Sequence, residues 1–389
     1  MNDLILHITH TDITQDSRIL KQIKVLENAD EIECCGIGLK SEEEAVFGAR
    51  TIAAKIDSFN LFIKPTKKFH GIIRNFLAFF SLLELTLRFF FKGLKRQPDV
   101  VHCHDAICLI AAVLIKKFSG CLLVYDAHEL ESDRNGQTKL FSKITLCIEK
   151  SCWNSVDLFI TVSRSIDNWY QEELGAKKSI IVLNSPEIVD SHGELDASYL
   201  KTKFKLPNKR PLFIYVGLLS KGRGVDILLD LFSAEIKEAD LVFLGYGDLK
   251  DQVLEFTNRN KNIFFHPPTE HNKVVEIVRS ADYGLCFIED VSLSDFYCLP
   301  NKLFEYAFAG VYVLASDFPE ISAVIKKYCL GRTVSHKRDD LKSEIRTIVV
   351  DRPKLKSSKL TELSWAYQGE GLLTTYKTML LTRPSERKR

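Results

Sequence analysis

The residues best suited to chemistry in this sequence lie in segment 299–317, LPNKLFEYAFAGVYVLASD. Asn301 and Glu305 are four residues apart and would share one helix face, and Lys302 is three residues from Glu305. The free N–H groups of a first helical turn attract anions, and Lys302 adds a positive charge there. The pattern predicts an anion site at the start of a helix. A helix with a solvated first turn would also account for Lys302.

The same segment predicts the structure that would hold these residues. Pro300 suits the first helical position, where its missing N–H costs nothing. Gly310 suits the left-handed residue that ends a helix, and the following VYVLA is typical of a buried parallel strand. We therefore expect a short helix that leads into a central strand.

Two glycine-rich turns follow strand-like runs in the same half of the chain. KGRG, at 221–224, comes after PLFIYVG, and Lys221 and Arg223 could neutralise phosphate while the glycines allow close approach. GYG, at 245–247, comes after LVFL, although a tight turn explains it equally well. Together with the helix start, these turns predict a pocket for a phosphorylated ligand.

Histidine and carboxylate side chains follow two strand-like runs in the first half, DVVHCHD and CLLVYDAHE. They are His102, His104, Asp105, Asp126, His128 and Glu129. Parallel sheets present ligand groups at the carboxyl ends of their strands, so these residues predict a second site, with His104 well placed in it. The alternative is a set of structural histidines. The spacing matches no compact metal-ligand motif.

The alternation of strand-like and helical runs predicts a parallel α/β architecture. At 389 residues we expect two domains. A polar, proline-containing stretch at 184–211 marks their boundary. We predict domains at 1–190 and 191–364, followed by a helix and a basic tail at 365–389. Asp16 or Ser17 is expected to cap a helix at 17–26. The other predicted helices include 164–174, 225–232, 249–259, 270–279, 319–326 and 365–381.

The composition indicates a cytosolic globular protein. The net charge of +2 argues against a nucleic-acid-binding chain. Ten cysteines without a C-x-x-C pair are typical of reduced, buried thiols and not of a zinc site. The first residues run directly into a strand-like LILHI, so we expect no signal peptide.

Segment 60–96 differs from the rest of the chain. Its centre, FLAFFSLLELTLRFFF, is strongly apolar, and its single acid is Glu84. Its cations are Lys64, Lys67, Lys68, Arg74, Arg88, Lys92, Lys95 and Arg96. The charges make it a poor membrane span, so the pattern predicts a helix lying on a membrane surface. A buried crossover helix with basic flanks is the alternative.

With these motifs the sequence resembles the retaining GT-B glycosyltransferases of family 4. The resemblance covers nearly the whole chain, and its most specific part is PNKLFEY with the following AG. The other segments that carry it are YVGLLSKGRGVDILL, LVFLGYGDL, SADYGL, DVVHCHD, YDAHE and the closing LSWAYQGEGLLTTYKTM.

The resemblance implies two facing Rossmann-like domains, with a C-terminal helix that crosses back to the first. A nucleotide-sugar would bind in the cleft, mainly to the second domain. Glu305 would bind the ribose hydroxyls. Lys221 and Arg223 would hold the diphosphate and stabilise its developing charge, supported by Asn301 and Lys302.

Further roles follow from the same resemblance. His104 would lie near the transferred sugar and, with Arg223 and Lys302, would form the catalytic set. Other donor contacts are expected from Gly217, Gly245, Tyr246 and Tyr297. The acceptor side would include Asp16, Arg18, His104, Asp105, His128 and Glu129. Neither a metal nor a cofactor is expected, since protein cations and helix dipoles serve in place of a metal.

The sequence departs from the family pattern in three places. Tyr297 stands where the family often has the first acid of an E-x7-E pair. Leu218 follows Val216-Gly217, where an arginine is common. The first loop, THTDITQDSR, lacks the usual glycines.

The resulting hypothesis is a retaining transferase at the inner face of the cell membrane. It would move a sugar from a UDP- or GDP-sugar to a lipid-linked or cell-surface glycan. The alternatives are a non-catalytic nucleotide-sugar-binding subunit and a nucleotide-sugar epimerase of the same fold. A glycogen-type phosphorylase would need a pyridoxal phosphate lysine and a longer chain, and an NAD dehydrogenase would need G-x-G-x-x-G after the first strand.

Overall fold

The computed structural model describes residues 2–41, 54–63, 72–187, 195–355 and 359–383. The chain divides into two compact units. The first is Met1–Val182 with Gly369–Arg389, and the second is Leu183–Gln368. The predicted boundary at 190/191, the lysines of 64–68 and most of the basic tail lie outside the described residues.

A parallel sheet forms the centre of the first unit, and its described strands follow the order β3-β2-β1-β4-β5-β6-β7. These strands are β1 Asp3–Ile8, β2 Ile32–Leu39, β3 Lys55–Phe59, β4 Val100–His104, β5 Leu122–Ala127, β6 Leu158–Thr161 and β7 Ser179–Ile181. The helices are α1 Ser17–Leu26, α2 Ile72–Arg96, α3 Leu109–Ser119, α4 Lys139–Cys152 and α5 Arg164–Leu174.

The second unit has a parallel sheet in the order β10-β9-β8-β11-β12-β13. Its strands are β8 Leu212–Leu218, β9 Asp240–Tyr246, β10 Ile263–His266, β11 Tyr283–Cys286, β12 Tyr312–Ser316 and β13 Gly331–Val334. Its helices are α6 Tyr199–Lys203, α7 Val225–Ala234, α8 Lys250–Arg259, α9 His271–Val278, α10 Leu293–Phe296, α11 Asn301–Ala309, α12 Pro319–Tyr328 and α13 Arg338–Asp351.

Both sheets are Rossmann-like, which confirms the predicted fold class. In each, the chain runs outward through three strands and then returns to the other side of the first one. The strand order therefore reverses between β1 and β4 and again between β8 and β11. Ligands of such sheets bind beyond the carboxyl ends of the strands at this reversal. Apolar clusters cover both faces of the second sheet and fix its strands in place.

The last helix, α14 Trp365–Leu381, contributes to the first unit from Gly369 onward. The Tyr376 hydroxyl lies 2.8 Å from Nδ1 of His102, on β4. A Cβ at Gly369 would lie 2.8 Å from a methyl carbon of Val25, so this glycine permits close packing on α1. The predicted return of the closing helix to the first unit is confirmed.

Capping side chains explain why several helix ends were predictable. The Asp16 carboxylate accepts hydrogen bonds from the backbone N–H groups of Arg18 and Ile19, at the start of α1. Gly310 ends α11 with φ 74°, as predicted. Pro300 is a correction: it has an extended ψ of 143° and is the cap before α11 and not its first helical residue.

Candidate active site

The second unit offers an open position at the carboxyl end of β8. Gly217 has φ 118°, a conformation that side chains rarely adopt. Among the described residues, the one atom that a Cβ built on Gly217 would meet within 4 Å is Cε of Lys302, at 4.0 Å. The missing side chain therefore leaves space beside the Lys302 ammonium group.

Lys302 is the most informative residue of this position. It lies in the first turn of α11 and is 8% exposed. Its Nζ stands 3.8 Å from the centroid of the Tyr215 ring, on β8. Within the described part of the chain, this nitrogen has no hydrogen-bond partner. A buried ammonium group without an acceptor is costly, and an anionic ligand at the helix start would supply one.

Arg223 is held by an acid that the sequence analysis missed. Its Nη1 lies 3.0 Å from Oδ1 of Asp295, which is buried in α10. The backbone N–H of Gly224 donates to Oε1 of Glu289 at 3.2 Å and so fixes the turn that carries Arg223. The sequence S-L-S-D at 292–295 could have predicted the start of the helix that carries Asp295, because Ser292 caps α10 by accepting a hydrogen bond from the Asp295 N–H.

Three of the four charged residues of the predicted donor site, Arg223, Lys302 and Glu305, lie near the end of β11. Cys286, the last residue of this strand, is fully buried, and burial raises the pKa of its thiol to about 11. The charges of Lys302, Arg223 and Glu305 all act on this thiol. Glu305 is half-buried, and Asn301, on the same helix face, is exposed. The positions of the residues support one polar site here.

The other predicted donor residues differ in their surroundings. A Cβ on Gly245 would lie 1.9 Å from the Gly217 carbonyl oxygen, so close strand packing already requires this glycine. Tyr246, at the end of β9, is half-exposed. Tyr297 follows α10 and is half-buried, and Lys221 is exposed.

A chain of imidazole rings occupies the strand reversal of the first unit. Nδ1 of His7 lies 3.0 Å from Nε2 of His104, and Nδ1 of His104 lies 3.2 Å from Nε2 of His128. His7 and His104 are fully buried, whereas His128 is partly exposed. The prediction placed His104 beside a sugar. In the structure both nitrogens of His104 face other imidazoles. Of the three linked rings, His128 is the one that reaches the surface.

Asp126 anchors this cluster. The Arg18 guanidinium donates to both carboxylate oxygens, at 2.8 and 3.1 Å, and Gln22 Nε2 donates at 2.8 Å. The Oδ2 atom also lies 3.6 Å from a nitrogen of His102, of His104 and of His128. Arg18 is only 3% exposed. In the structure Arg18 holds Asp126 and Asp16 caps α1, and their acceptor-side roles stay predictions.

The histidine pKa values differ between the surface end of the cluster and its interior. Burial opposes a charge on His128, but the carboxylates of Asp105 and Asp126 outweigh it and raise its pKa to about 9. Burial and neighbouring imidazoles lower the pKa of His102 to about 3, and burial also lowers the pKa values of His7 and His104. The cluster therefore carries its positive imidazole at the surface.

The carboxyl ends of β1, β4 and β5 meet at Asp105. Its Oδ1 lies 3.5 Å from Nδ1 of His128, and its Oδ2 lies 3.5 Å from Nδ1 of His10. Glu129 is partly exposed and pairs with Arg134 at 2.7 Å. His7 and His10 were not predicted, although both belong to the first strand and its loop, LILHITHTD.

Two sets of ligand atoms in this cluster are close enough to hold a metal ion: those of His7, His102 and His104, and those of His104, Asp126 and His128. The nitrogens of His104 already have imidazole partners, and Asp126 is bound by Arg18 and Gln22. The groups present fit a hydrogen-bonded cluster, and the expectation of a metal-free site stays a prediction.

Comparison with known families separates the chain into the same two parts. Residues 40–186 match the model of Glycosyltransferase Family 4, and residues 210–351 match that of Glycosyl transferases group 1. A chitobiosyldiphosphodolichol beta-mannosyltransferase of Candida albicans is 25% identical in an alignment of 251 residues, and the match covers 58% of this chain and 53% of that protein. The chain thus aligns with about half the length of this curated relative.

Solved structures share the fold along the whole chain. A sucrose-phosphate synthase from Thermosynechococcus elongatus superposes with a TM-score of 0.69 at 14% identity, over 98% of this chain and 97% of that one. Alr3699/HepE of Anabaena, in complex with UDP and glucose, superposes with a TM-score of 0.67 at 11% identity, over 98% and 100%. Together with the family models, these likenesses identify the chain as a GT-B enzyme of the family 4, group 1 glycosyltransferases.

Proposed function

We propose that this enzyme transfers a sugar from a UDP- or GDP-sugar to a lipid-linked or cell-surface glycan with retention of anomeric configuration. The observation that carries the donor assignment is the buried, unpartnered ammonium group of Lys302 beside Gly217. The Anabaena relative is described in complex with UDP, and the Candida relative is named for mannosyl transfer to a diphosphodolichol-linked acceptor.

In this proposal the second unit stabilises the leaving diphosphate. Lys302 and the free N–H groups at the start of α11 supply positive charge where negative charge develops. Arg223 adds a guanidinium whose orientation Asp295 maintains. Glu305 accepts hydrogen bonds from the ribose hydroxyls. These fixed charges stabilise the departing group without a metal ion.

The proposed lipid-linked acceptor rests on helix α2. One face packs into the unit: Phe89 is fully buried, and a Cβ on Gly93 would lie 2.5 Å from Ile115 of α3. The opposite face is also apolar. Its exposed side chains recur every three or four residues and are Phe76, Phe79, Leu83, Leu87 and Phe91.

Neighbouring cations suit this exposed stripe to an anionic lipid surface. Lys95 is exposed in the last turn of α2, and Lys117 is exposed on the adjacent α3. Among the helices that the structure describes, none has both the length and the apolar character to cross a bilayer. We therefore propose peripheral contact at the inner face of the cell membrane.

Thermal-shift screening against UDP, GDP and their sugar conjugates tests the donor proposal, because a ligand of the native state raises the melting temperature. We expect one nucleotide class to stabilise the protein and Glu305→Ala to lose most of that shift. Glu255→Ala, at an exposed ion pair on α8, is the matched control. Unchanged donor affinity in Glu305→Ala would refute the ribose assignment.

Product analysis separates the transferase from its alternatives. Incubation with the nucleotide-sugar alone would convert it if the enzyme were an epimerase, since that reaction needs no acceptor. A binding subunit would bind the donor but neither hydrolyse nor transfer it. Proton NMR of the new glycosidic bond reports its configuration, and inversion would contradict the retaining mechanism.

Flotation with anionic phosphatidylglycerol vesicles tests the membrane contact. We expect wild-type protein to float at low salt and the double variant Phe76→Ser, Phe79→Ser to remain in the dense fraction. Phe141→Ser, at an exposed apolar position on α4, is the control for lost surface hydrophobicity. Failure of the wild type to float at low salt, where electrostatic attraction is strongest, would contradict the proposal.

A further inference from the structure

The hydrogen-bonded ladder between β8 and β11 stops before either strand ends. Among the described residues it pairs Phe213 with Tyr283 and Ile214 with Gly284. Both strands continue beyond these pairs toward their carboxyl ends. The order of strands reverses between β8 and β11, where sheets of this kind bind ligands. The backbone groups beyond the ladder therefore need other partners at the very place where a ligand is expected.

The hydroxyl of Tyr306, on α11, supplies these partners. It accepts a hydrogen bond from the Val216 N–H at 3.0 Å. Its proton is available to two carbonyl oxygens, that of Ile214 at 3.2 Å and that of Leu285 at 3.1 Å. Val216 and Ile214 belong to β8, and Leu285 belongs to β11. Because unpaired backbone groups in the interior are costly, this hydroxyl takes the place of the ladder between the two strands.

The sheet is built to admit the Tyr306 ring. The side chain is fully buried. A Cβ on Gly284, in β11, would lie 2.5 Å from Cγ of the ring, so a residue with a side chain at this position would displace it. Burial raises the pKa of the Tyr306 phenol well above its ordinary value. The hydroxyl therefore stays neutral and keeps its proton for the backbone carbonyl groups.

Tyr306 and Lys302 share one face of α11, because they are four residues apart. The Lys302 Nζ stands 3.8 Å from the centroid of the Tyr215 ring. Tyr215 lies in β8 between Ile214 and Val216, the two residues of that strand that the Tyr306 hydroxyl contacts. The hydroxyl therefore fixes α11 against the part of β8 beside which the Lys302 ammonium group lies.

We propose that Tyr306 is a positioning residue for donor binding: by joining β8 to β11 through its hydroxyl, it holds Lys302 where the diphosphate of a nucleotide-sugar binds. This inference rests on the proposed function. A tyrosine with a purely structural role would contribute to the free energy of unfolding alone. Tyr306 also sets the affinity for the nucleoside diphosphate, and it does so through Lys302.

A double-mutant cycle measures this coupling. Tyr306→Phe keeps the ring and removes only the hydroxyl, and isothermal titration follows the binding of UDP or GDP, whichever binds the wild type. We expect Tyr306→Phe to weaken binding by about 10-fold or more. Adding Lys302→Met to Tyr306→Phe should then change the affinity by less than about threefold, because the ammonium group is already displaced.

Tyr328→Phe is the matched control, since it removes a tyrosine hydroxyl that donates to Glu362 at 2.7 Å in the same unit. We expect this variant to bind nucleotide as the wild type does and to leave the effect of Lys302→Met undiminished. A second variant places para-aminophenylalanine at position 306, which keeps N–H donors for both carbonyl groups. It should bind nucleotide within about threefold of wild type, and it decides the question if Tyr306→Phe does not fold.

Three results would overturn the inference: wild-type affinity in Tyr306→Phe, additive effects of Tyr306→Phe and Lys302→Met, or a folded para-amino variant that binds nucleotide about 10-fold or more weakly than the wild type. A wild type that binds neither UDP nor GDP would instead refute the proposed function. Hydrogen exchange at the Val216 N–H would then still decide whether the hydroxyl holds β8. Faster exchange in Tyr306→Phe than in Tyr328→Phe supports that contact, and equal exchange contradicts it.

Discussion

Replacing Lys302 by methionine should raise stability and weaken donor binding, a combination that a purely structural lysine would not give. Methionine retains much of the side-chain length and removes the charge. In the wild type, the buried ammonium group has the Tyr215 ring beneath it and no hydrogen-bond acceptor within the described chain. Its desolvation costs several kcal/mol, of which the cation–π contact returns about 2 kcal/mol.

Lys302→Met should change both the melting temperature and the affinity for nucleotide by measurable amounts. A gain of about 1 kcal/mol on removing the charge corresponds to a rise of about 2–4 °C in the melting temperature of a unit of this size. A hydrogen bond to a charged group contributes about 1.5–3 kcal/mol. Its loss should weaken the binding of nucleoside diphosphate by about 10- to 150-fold.

Differential scanning calorimetry and isothermal titration with UDP and GDP measure the two effects separately. Lys326→Met, at an exposed position of α12, is the matched control, and we expect it to change neither quantity appreciably. A Lys302→Met protein that is less stable and binds nucleotide as wild type does would refute the reasoning, because the lysine would then be a structural residue.

Three further predictions concern groups with defined partners. Asp295→Asn should free Arg223 and reduce kcat by at least 10-fold with intact folding, whereas exposed Asp290→Asn should not change the rate; equal rates would remove Asp295 from the site. Asp126→Asn should cost about 3–5 kcal/mol in urea unfolding, because it leaves a buried guanidinium unpaired; a cost below 1 kcal/mol would contradict the anchoring role. The stabilisation from protonated His128 should be complete below about pH 6.5 and lost as the pH rises to about 9, so His128→Gln should lack the corresponding slope in unfolding free energy.

Local sequence signals accounted for much of the fold. The bounds of α1, α5 and α14 were predicted to the residue. The start signals of α1 and α5 are local, because Asp16 and Ser163 accept hydrogen bonds from N–H groups two or three residues further along the chain. The parallel arrangement likewise followed from alternating strand and helix patterns, which each segment carries by itself.

Contacts between distant segments could not be derived in this way. Arg223, in a turn, pairs with Asp295 of α10, 72 residues further along the chain. No sequence pattern near Arg223 indicates this partner. The imidazole chain depends on β1 lying beside β4, which sets His7 against His104. The prediction found the histidines of β4 but could not show that His104 is enclosed, because burial depends on strand order. The left-handed φ of Asp105, 63°, has no local signal either, since aspartate is common at strand ends.

Hydrogen–deuterium exchange with and without the stabilising nucleotide-sugar tests the central claim most directly, because it locates the donor without any substitution. We expect slower exchange in peptides that cover 217–224 and 295–305, which contain Gly217, Arg223, Asp295, Lys302 and Glu305. Protection confined to the first unit, or bound donor with unchanged exchange in both of these segments, would contradict the assignment of the donor site.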